Sequence, residues 1–373
     1  MSRLPSLSKP LGDDAASAYT LSADYYLDNE VYELEKQRIF YRSWQYVAHE
    51  SLLKNPGDYA TLRICDESIF VIRSADNRLR AFYNICRHRA HELLAGSGNL
   101  RNLIVCPYHA WSYDDQGKLA RAPMSDHRPG FDHSEFCLRP VKLEIFCGCV
   151  FVNLDPDCAS LASIAGDLEA DIRSHLPYLD DLQQNPENEQ PNAPIKAGWK
   201  VIVDNYVECY HCRPAHPDFA SIIDMDTYQV DIFDQWSRQY GPDIRDSNSA
   251  YPLDPENGFH QSVFWYLWPN TTFNVMPGPE SLGVFTVQPV SIDCCNFNGH
   301  SLTTDGRVYQ PRSDYFNDVL GPEDVGLCES VQRGLRSKSY DQGVYMTNPA
   351  HSGESEYALH HFHRLVLASL GAD

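Results

Sequence analysis

The alternation of apolar and polar residues divides the chain into regions of different texture. Between Asp28 and Trp44, apolar side chains recur at Val31, Leu34 and Ile39, a spacing that predicts a helix with one buried face. From about residue 47 to 155, short runs rich in Val, Ile, Phe and Tyr are separated by turn clusters such as SADN and DDQG. Several short strands with turn residues between them are typical of an antiparallel β domain.

The rest of the chain predicts mixed structure. The segment GDLEADIRSHLPYL has a helical pattern, and QSVFWYLWPNTTFNVMPG and SLGVFTVQPVSI read as strands. Two amphipathic helices are expected over residues 322–335 and 356–370. The fold class predicted is therefore α+β. The expected domains are a leader and helix over 1–44 that packs on the last domain, a β domain over 45–158, and an α+β domain over 159–373.

The amino-acid composition limits the partners, the location and the cysteine chemistry that we expect. The chain has 30 Lys and Arg against 51 Asp and Glu, a formal net charge of −21, which disfavours nucleic acid and suits a cationic substrate, although solubility alone also explains it. No apolar run approaches the ~20 residues of a membrane span. The first 20 residues lack an apolar core and contain Asp13 and Asp14, so we expect a cytoplasmic protein. Its 12 cysteines should be reduced, serving as metal ligands or small buried residues.

Two Cys/His pairs stand close together in the predicted β domain. Cys86 and His88 are followed, after the 17 residues 89–105, by Cys106 and His109. A structural zinc site usually opens with C-x2–4-C and closes with H-x3–5-H, whereas here each loop supplies one Cys and one His. A Rieske [2Fe–2S] cluster has two Cys on one iron and two His on the other. The spacing favours the Rieske cluster over zinc or four unconnected residues.

The segment from Cys86 to His109, with AFYNICRHRAHELLAGSG and CPYHAWSY around it, resembles the Rieske domain of ring-hydroxylating-type oxygenase α subunits. The run CRHR matches the family's first loop, and Ala90 stands where the family often has Gly. The resemblance extends from the helix near Asp28 to HFHRLVLASL at the C-terminus. It implies an N-terminal antiparallel β Rieske domain that binds the cluster and a C-terminal helix-grip domain, an antiparallel sheet with helices, that binds mononuclear Fe(II).

A second histidine pair lies in WKVIVDNYVECYHCRPAHPDF, where His211 and His216 are five residues apart. On an ideal helix such positions are about 140° apart, so we expect either a π-type bulge or a helix frayed near Pro214. Two His plus one carboxylate with open positions is the arrangement for non-haem Fe(II) and O2. The alternative is a pair of satisfied polar side chains.

The pattern NYxECYHCxxAHP resembles the family's mononuclear-iron motif, which implies His211 and His216 as iron ligands. The third ligand that the resemblance implies is Asp324 in GPEDV rather than its neighbour Glu323; alternatively, both acids simply favour a helix N-terminus. Glu208 matches a position, usually Asp, that links the Rieske domain of one subunit to the iron of the next, although it could be a surface carboxylate. Glu within DNYxECYHC looks more typical of the carnitine, choline and glycine-betaine monooxygenase branch.

The resemblance implies the oxygenase component of a Rieske monooxygenase that hydroxylates a small quaternary ammonium compound, with C–N cleavage or N-demethylation. Electrons would come from NAD(P)H through a separate flavin and iron–sulfur reductase, and the subunits would form a homotrimer. The absence of a G-x-G-x-x-G fingerprint in the sequence agrees with a separate reductase. The alternatives are an aromatic-ring dioxygenase or aryl O-/N-demethylase on the same scaffold, or a zinc-bearing non-catalytic binding module.

Aromatic side chains are candidates for a cage around a trimethylammonium group, which cation–π attraction favours. Each of them is also an ordinary core residue of a strand. The candidates are Phe264, Trp265, Tyr266 and Trp268, together with Trp199, Tyr206, Trp236 and Phe273.

Overall fold

The computed structural model describes residues 4–185, 194–245, 247–254 and 258–371. The chain forms two compact units: the β unit, Phe40–Ile164, and the α+β unit, which joins Met1–Ile39 to Ala165–Asp373. The predicted domain boundaries at 44/45 and 158/159 remain predictions. No helix of the described part of the chain is both long and apolar enough to cross a membrane.

The helices of the described residues are short except for the last two. They are α1 (Asp24–Leu27), α2 (Asn29–Glu35), α3 (Leu161–Ala165), α4 (Leu168–His175), α5 (Trp199–Tyr206), α6 (Cys212–Ala215), α7 (Pro217–Ile222), α8 (Gln310–Tyr315), α9 (Gly321–Gly334) and α10 (Tyr357–Leu370). Single π-helical turns follow α2 at Lys36–Phe40 and join α8 to α9 at Phe316–Leu320.

The strands pair antiparallel throughout the described residues. They are β1 (Gln45–His49), β2 (Asp58–Ile64), β3 (Glu67–Arg73), β4 (Leu79–Tyr83), β5 (Ser97–Asn99), β6 (Ile104–Val105), β7 (Ser112–Tyr113), β8 (Leu119–Arg121), β9 (Pro140–Phe146), β10 (Cys149–Asn153), β11 (Gln183–Gln184), β12 (Gln229–Ile232), β13 (Trp236–Gly241), β14 (Ser262–Leu267), β15 (Thr271–Val275), β16 (Ser281–Ser291) and β17 (Cys294–Thr303).

The β unit consists of a larger sheet, of order β1-β10-β9-β4-β3-β2-β5, and a small sheet, β6-β7-β8. The run LRICDESIFVIR, continuous in the sequence, forms the hairpin of β2 and β3 because the chain reverses at Cys65, whose φ is +51°. The interior of β3 is buried at every position from Ser68 to Ile72, as expected for a strand covered on both faces. The predicted antiparallel β domain is confirmed.

The α+β unit is built on a sheet of order β11-β17-β16-β15-β14-β13-β12. Helix α10 packs on it through Phe362, whose ring lies 5.9 Å from those of Tyr266 and Trp268 and 5.5 Å from that of Trp199. Such edge and tilted contacts are the preferred geometry of packed aromatic rings. The predicted antiparallel sheet with helices is confirmed, and so is the α+β class.

Helix α2 is fastened to α5 by a buried polar contact. Glu35 accepts a hydrogen bond from the indole nitrogen of Trp199 at 2.7 Å and pairs with the ammonium group of Lys200. Both charges are fully enclosed, with side-chain exposures of 0% and 4%, so removing either partner would leave the other buried and uncompensated. This contact fixes the start of the helix that leads into the site.

Helices α8 and α9 run into each other through the π turn at Phe316–Leu320. A Cβ atom at position 321 would lie only 2.8 Å from the carbonyl oxygen of Phe316, so the wide turn is closed by a residue without a side chain. A π turn inserts an extra residue and changes which face the next residues occupy. It therefore sets the direction in which the first turn of α9 presents Glu323 and Asp324.

Candidate active site

Two loops of the β unit hold the Cys/His pairs and share one backbone geometry. In each loop the N–H four residues after the cysteine donates to the cysteine carbonyl at 3.0 Å, from Ala90 to Cys86 and from Ala110 to Cys106. Both alanines are left-handed, with φ of +57° and +56°. Ala90 thus adopts the conformation for which glycine is favoured, and the loop keeps its shape without it.

The two imidazoles of these loops face each other. The ring centroids of His88 and His109 are 4.7 Å apart at 74°, and Trp111 stacks on His88 at 4.7 Å. Nδ1 of His109 is buried and has no hydrogen-bond partner among the described residues. Burial, followed by His109 and Arg89, lowers the pKa of His88, which favours the neutral ring that a metal requires.

The two thiols are buried, with Cys86 3% and Cys106 2% exposed. The hydroxyl of Tyr113 accepts the N–H of Arg87 at 2.9 Å and lies 3.4 Å from Sγ of Cys86, to which it can donate. Burial raises the pKa of the Cys106 thiol, so a positive centre is needed to hold it as thiolate. The site thus offers two buried sulfurs and two imidazoles, and Nδ1 of His109 has no partner among the described residues. This set of ligands fits a Rieske cluster.

The second histidine pair is brought together by a break in the helix. Helix α5 ends at Tyr206, α6 spans only Cys212–Ala215, and His216, with φ −126° and ψ 65°, separates it from α7. The ring centroids of His211 and His216 are 5.1 Å apart. Of the two expected arrangements, the π-type bulge is wrong at this place. The helix is instead interrupted near Pro214, because α6 ends at Ala215.

Asp324 completes a cluster of three ligand atoms. Its Oδ1 lies 2.9 Å from Nε2 of His216 and 3.7 Å from Nε2 of His211. One ligand atom from each residue falls within 4.8 Å of the others. Two imidazoles and one carboxylate fit the facial arrangement of mononuclear iron, which leaves positions free for other ligands.

A carboxylate contacts the Nδ1 atom of each imidazole. Oε1 of Glu208 lies 2.5 Å from Nδ1 of His211, and Oε2 of Glu323 lies 2.7 Å from Nδ1 of His216. Since an ionised carboxylate only accepts, both Nδ1 atoms carry the proton and donate it. This orientation leaves Nε2 of each ring for a metal, the pattern in which a carboxylate fixes the tautomer of a metal-bound histidine.

Contacts among His211, His216 and Asp324 shift the pKa of each side chain. Burial lowers the pKa of His211, but hydrogen bonds to Asp324 and Glu208 outweigh it and raise the pKa to about 9. Burial also lowers the pKa of His216, but hydrogen bonds to Asp324 and Glu323 outweigh it and raise the pKa. Burial raises the pKa of Asp324, but contacts with both histidines lower it overall. The site is thus organised for an ionised carboxylate next to positive charge.

Cys209 and Cys212 flank His211 and are linked by a disulfide, with Cα atoms 4.9 Å apart. This separation lies within the range that a disulfide spans. The expectation that all cysteines are reduced is wrong for this pair, because the turn at Tyr210 and His211 brings the two side chains together. Cys86 and Cys106, the candidate ligands of the cluster, are free thiols.

An aromatic cluster adjoins this segment. Its buried members pack with Cys209, Cys212 and Leu320, and three further rings lie at its edge. The cluster consists of Phe219, Tyr228, Tyr251, Phe264 and Tyr315, with Tyr206, Tyr309 and Phe316 at the edge.

The structure separates the aromatic candidates named from the sequence. Tyr206 and Phe264 belong to the aromatic cluster. Trp265, the next residue of β14, donates to Asp171 at 2.6 Å, and Trp236 stacks on Phe233 at 3.6 Å. Trp199, Tyr266 and Trp268 pack around Phe362, and Phe273 is buried in β15.

Several residues of the site were missed from the sequence. Asn205 lies 3.4 Å from Nε2 of His211, and Glu323 contacts Nδ1 of His216 in support of the ring. Tyr251, Tyr309 and Tyr315 carry no local motif. The one signal is position: Tyr315 comes shortly before the GPEDV run, whereas Tyr251 lies in a segment distant in sequence.

Comparison with known proteins identifies the family. Residues 43–138 match the Rieske [2Fe–2S] domain, and residues 179–372 match the ring-hydroxylating α subunit catalytic domain. The chain is 40% identical over 358 residues to the carnitine monooxygenase oxygenase subunit of Acinetobacter pittii, covering 94% of each protein. It is 28% identical to the chloroplastic choline monooxygenase of Atriplex hortensis, covering 94% of this chain and 77% of that protein.

A solved structure is also similar. It is that of a quaternary ammonium Rieske monooxygenase, described in terms of carnitine oxidation by gut microbiota and inter-subunit electron transfer, with a TM-score of 0.85, 36% identity and coverage of 95% and 96% of the two chains. The predicted [2Fe–2S] cluster and mononuclear iron are those of the two matched domains, so both predicted cofactors are confirmed. The chain belongs to the Rieske oxygenase family, with a Rieske domain joined to a ring-hydroxylating α-subunit catalytic domain.

Proposed function

We propose that this protein hydroxylates a small quaternary ammonium compound of the carnitine, choline or betaine type and thereby cleaves a C–N bond. The observation that carries the proposal is the 40% identity to a carnitine monooxygenase oxygenase subunit over 94% of both chains. The aromatic cluster beside the metal-binding triad supports it, because the faces of aromatic rings attract quaternary ammonium groups. The net charge of −21 also suits a cationic substrate.

In the proposed mechanism the protein supplies positioning. His211 and His216 would hold the iron through Nε2, and Asp324 through Oδ1; bound Fe(II) would supply the activation of O2. Glu208 and Glu323 keep the two imidazoles in the required tautomer and orientation. The buried rings of the aromatic cluster exclude water and hold the substrate's C–H bond in one position, which lowers the entropic part of the barrier.

We propose that Glu208 links this site to the Rieske domain of a neighbouring subunit. One of its oxygens contacts His211, and the other accepts the N–H of Tyr210 at 2.5 Å. The side chain retains 10% exposure, so it is not fully enclosed by its own chain. The similar solved structure is described in terms of inter-subunit electron transfer. Head-to-tail contacts form a ring when the rotation between subunits closes, and we propose a ring of three.

We further propose that a separate flavin and iron–sulfur reductase delivers the electrons from NAD(P)H. The sequence contains no G-x-G-x-x-G motif. This Gly-rich turn between a strand and a helix usually marks a dinucleotide-binding domain. We also propose a cytoplasmic location, because the cytoplasm supplies the NAD(P)H that such a reductase uses.

A substrate panel tests the proposal. Iron-replete protein with a suitable reductase is supplied with L-carnitine, choline, glycine betaine and an aryl methyl ether, and O2 uptake and products are measured. We expect O2 uptake with at least one ammonium compound, together with trimethylamine from carnitine or formaldehyde from an N-methyl group. O2 uptake with the aryl ether alone, yielding a phenol, would refute the proposed substrate class.

A further inference from the structure

The hydroxyl of Tyr315 is a buried donor without a partner. Tyr315 is the last residue of α8 and is 4% exposed. Its oxygen is inaccessible to solvent and makes no hydrogen bond to any described residue. Buried hydroxyls are normally paired, because an unpaired one has lost its hydrogen bonds to water without replacement. Such an atom in a native structure calls for an explanation.

The other tyrosine hydroxyls of the aromatic cluster are already engaged. Tyr251 donates to the carbonyl of Pro277 at 3.0 Å and Tyr309 to that of Pro252 at 2.8 Å. Tyr206 donates to Asn274 at 2.6 Å and Tyr228 to Gln239 at 3.1 Å. Among the described residues of the cluster, Tyr315 is therefore the tyrosine whose donor remains available.

Tyr315 packs in the same buried cluster as Cys209 and Cys212, which flank His211. Its ring lies 5.8 Å from that of Tyr251. The negative charges of Glu323, Asp218 and Asp324 influence its hydroxyl electrostatically. Asp324 is the carboxylate that contacts both histidines. Burial, followed by these charges, raises the pKa of Tyr315 above its ordinary value, so the group remains a neutral phenol that can donate.

We propose that the Tyr315 hydroxyl donates a hydrogen bond to the hydroxyl or carboxylate oxygen of the substrate and so selects ammonium compounds that carry such an oxygen. This rests on the proposed function. Aromatic faces and nearby carboxylates attract the cationic end of any quaternary ammonium ion, but they do not distinguish among such ions. A buried donor does, because a ligand without an acceptor leaves it unpaired. Tyr315 is thus a specificity-determining residue.

The test measures binding to iron-loaded protein without O2, so that no turnover occurs. Dissociation constants are determined by calorimetry for choline, which offers a hydroxyl, γ-butyrobetaine, which offers a carboxylate, L-carnitine, which offers both, and tetramethylammonium, which offers neither. The variants are Y315F and, as control, Y178F, which removes a buried hydroxyl bonded to the carbonyl of Ser281 from a tyrosine that is not a member of the aromatic cluster.

We expect Y315F to weaken binding of the tightest oxygen-bearing ligand about tenfold or more, the effect of one hydrogen bond to a charged or polar group. Binding of tetramethylammonium should change less than about twofold, and the melting temperature should not fall. Y178F should show the reverse: a lower melting temperature with unchanged binding.

Three outcomes would overturn the assignment: unchanged binding of oxygen-bearing ligands by Y315F, an equal loss for tetramethylammonium, or a Y315F protein that does not fold, since the hydroxyl would then have a partner in the free protein. These outcomes differ from failure of the proposed function, in which the wild-type protein itself binds none of the ammonium compounds.

Discussion

Nδ1 of His216 donates a hydrogen bond to Oε2 of Glu323 at 2.7 Å, while Nε2 of the same ring faces Oδ1 of Asp324 at 2.9 Å. Two consecutive residues of α9 therefore contact opposite nitrogens of one imidazole. Glu323 is left to fix the orientation of the ring, and Asp324 is free to act as a ligand together with it. The same division holds at His211, where Glu208 occupies Nδ1.

Replacing Glu323 by Gln should weaken the mononuclear iron site without removing a ligand. Gln still offers an oxygen to His216 but no negative charge, and changes to such supporting carboxylates typically cost about 10–100-fold in metal affinity. We expect a loss of this size in the affinity for Fe(II), measured by titration of iron-depleted protein, with an unchanged cluster spectrum. Glu280→Gln, an exposed change in the same unit, is the control; equal affinities of Glu323→Gln and wild type would contradict the assigned role.

Glu208→Gln should separate electron delivery from metal binding. The amide oxygen can still accept the Nδ1–H of His211, so both iron centres should be retained. The lost charge should impair the link between subunits and slow turnover by about tenfold or more, at least about 1.4 kcal/mol in the barrier. Single-turnover reduction of the cluster and product formation should be followed together.

The result expected for Glu208→Gln is a cluster that is reduced normally but reoxidises slowly in the presence of substrate and O2. Glu169→Gln on α4, where the partly exposed carboxylate pairs with Arg173, provides the comparison. If Glu208→Gln turned over at the wild-type rate with full iron content, Glu208 would have no bridging role.

Glu356 should make stability depend on pH. Burial, opposed by the N–H of Met346 and reinforced by Glu208 and Asp204, raises the pKa of this carboxyl from 4.5 to about 7. Because the raised pKa means that the folded state binds this proton more tightly than the unfolded state, protonation of Glu356 stabilises the fold. This stabilisation is fully present below pH 4.5 and is lost as pH rises to about 7. Relative to Glu356→Gln, the wild type should lose about 1–2 kcal/mol of unfolding free energy between pH 5 and 8, allowing for partial exposure.

Urea unfolding at the two pH values measures this difference. The change from Glu to Gln at exposed position 280 should leave the pH dependence as in the wild type. A wild-type protein whose stability relative to Glu356→Gln rose with pH would show that the carboxyl is stabilised in its ionised form.

The sequence predicted those parts of the site whose chemistry is local. The spacing of Cys86, His88, Cys106 and His109 indicated the cluster, because both ligands of each pair lie on one short loop. The family resemblance pointed to Asp324 beside the histidine pair, and the structure brings it there. Whether these residues ligate iron remains a prediction that the experiments above and below address.

The sequence did not predict features that depend on helix phase and on contacts between distant segments. The π turn at Phe316–Leu320 sets the direction in which Glu323 and Asp324 point, and nothing in its apolar pattern marks it. The aromatic run of β14 shows a further limit. Phe264 faces the aromatic cluster, whereas Trp265 turns to Asp171, because alternate residues of a strand lie on opposite faces.

The central claim is that one chain carries two different iron centres, a Cys/His-held cluster and a separate His/Asp-held iron. Electron paramagnetic resonance of anaerobically purified, dithionite-reduced wild type and Asp324→Ala, with iron analysis, tests it most directly. We predict a reduced Rieske-type signal in both proteins, about three irons per chain in the wild type and about two in the variant. A wild type without a reducible cluster, or an Asp324→Ala protein that lost the cluster signal and kept the mononuclear iron, would contradict the account.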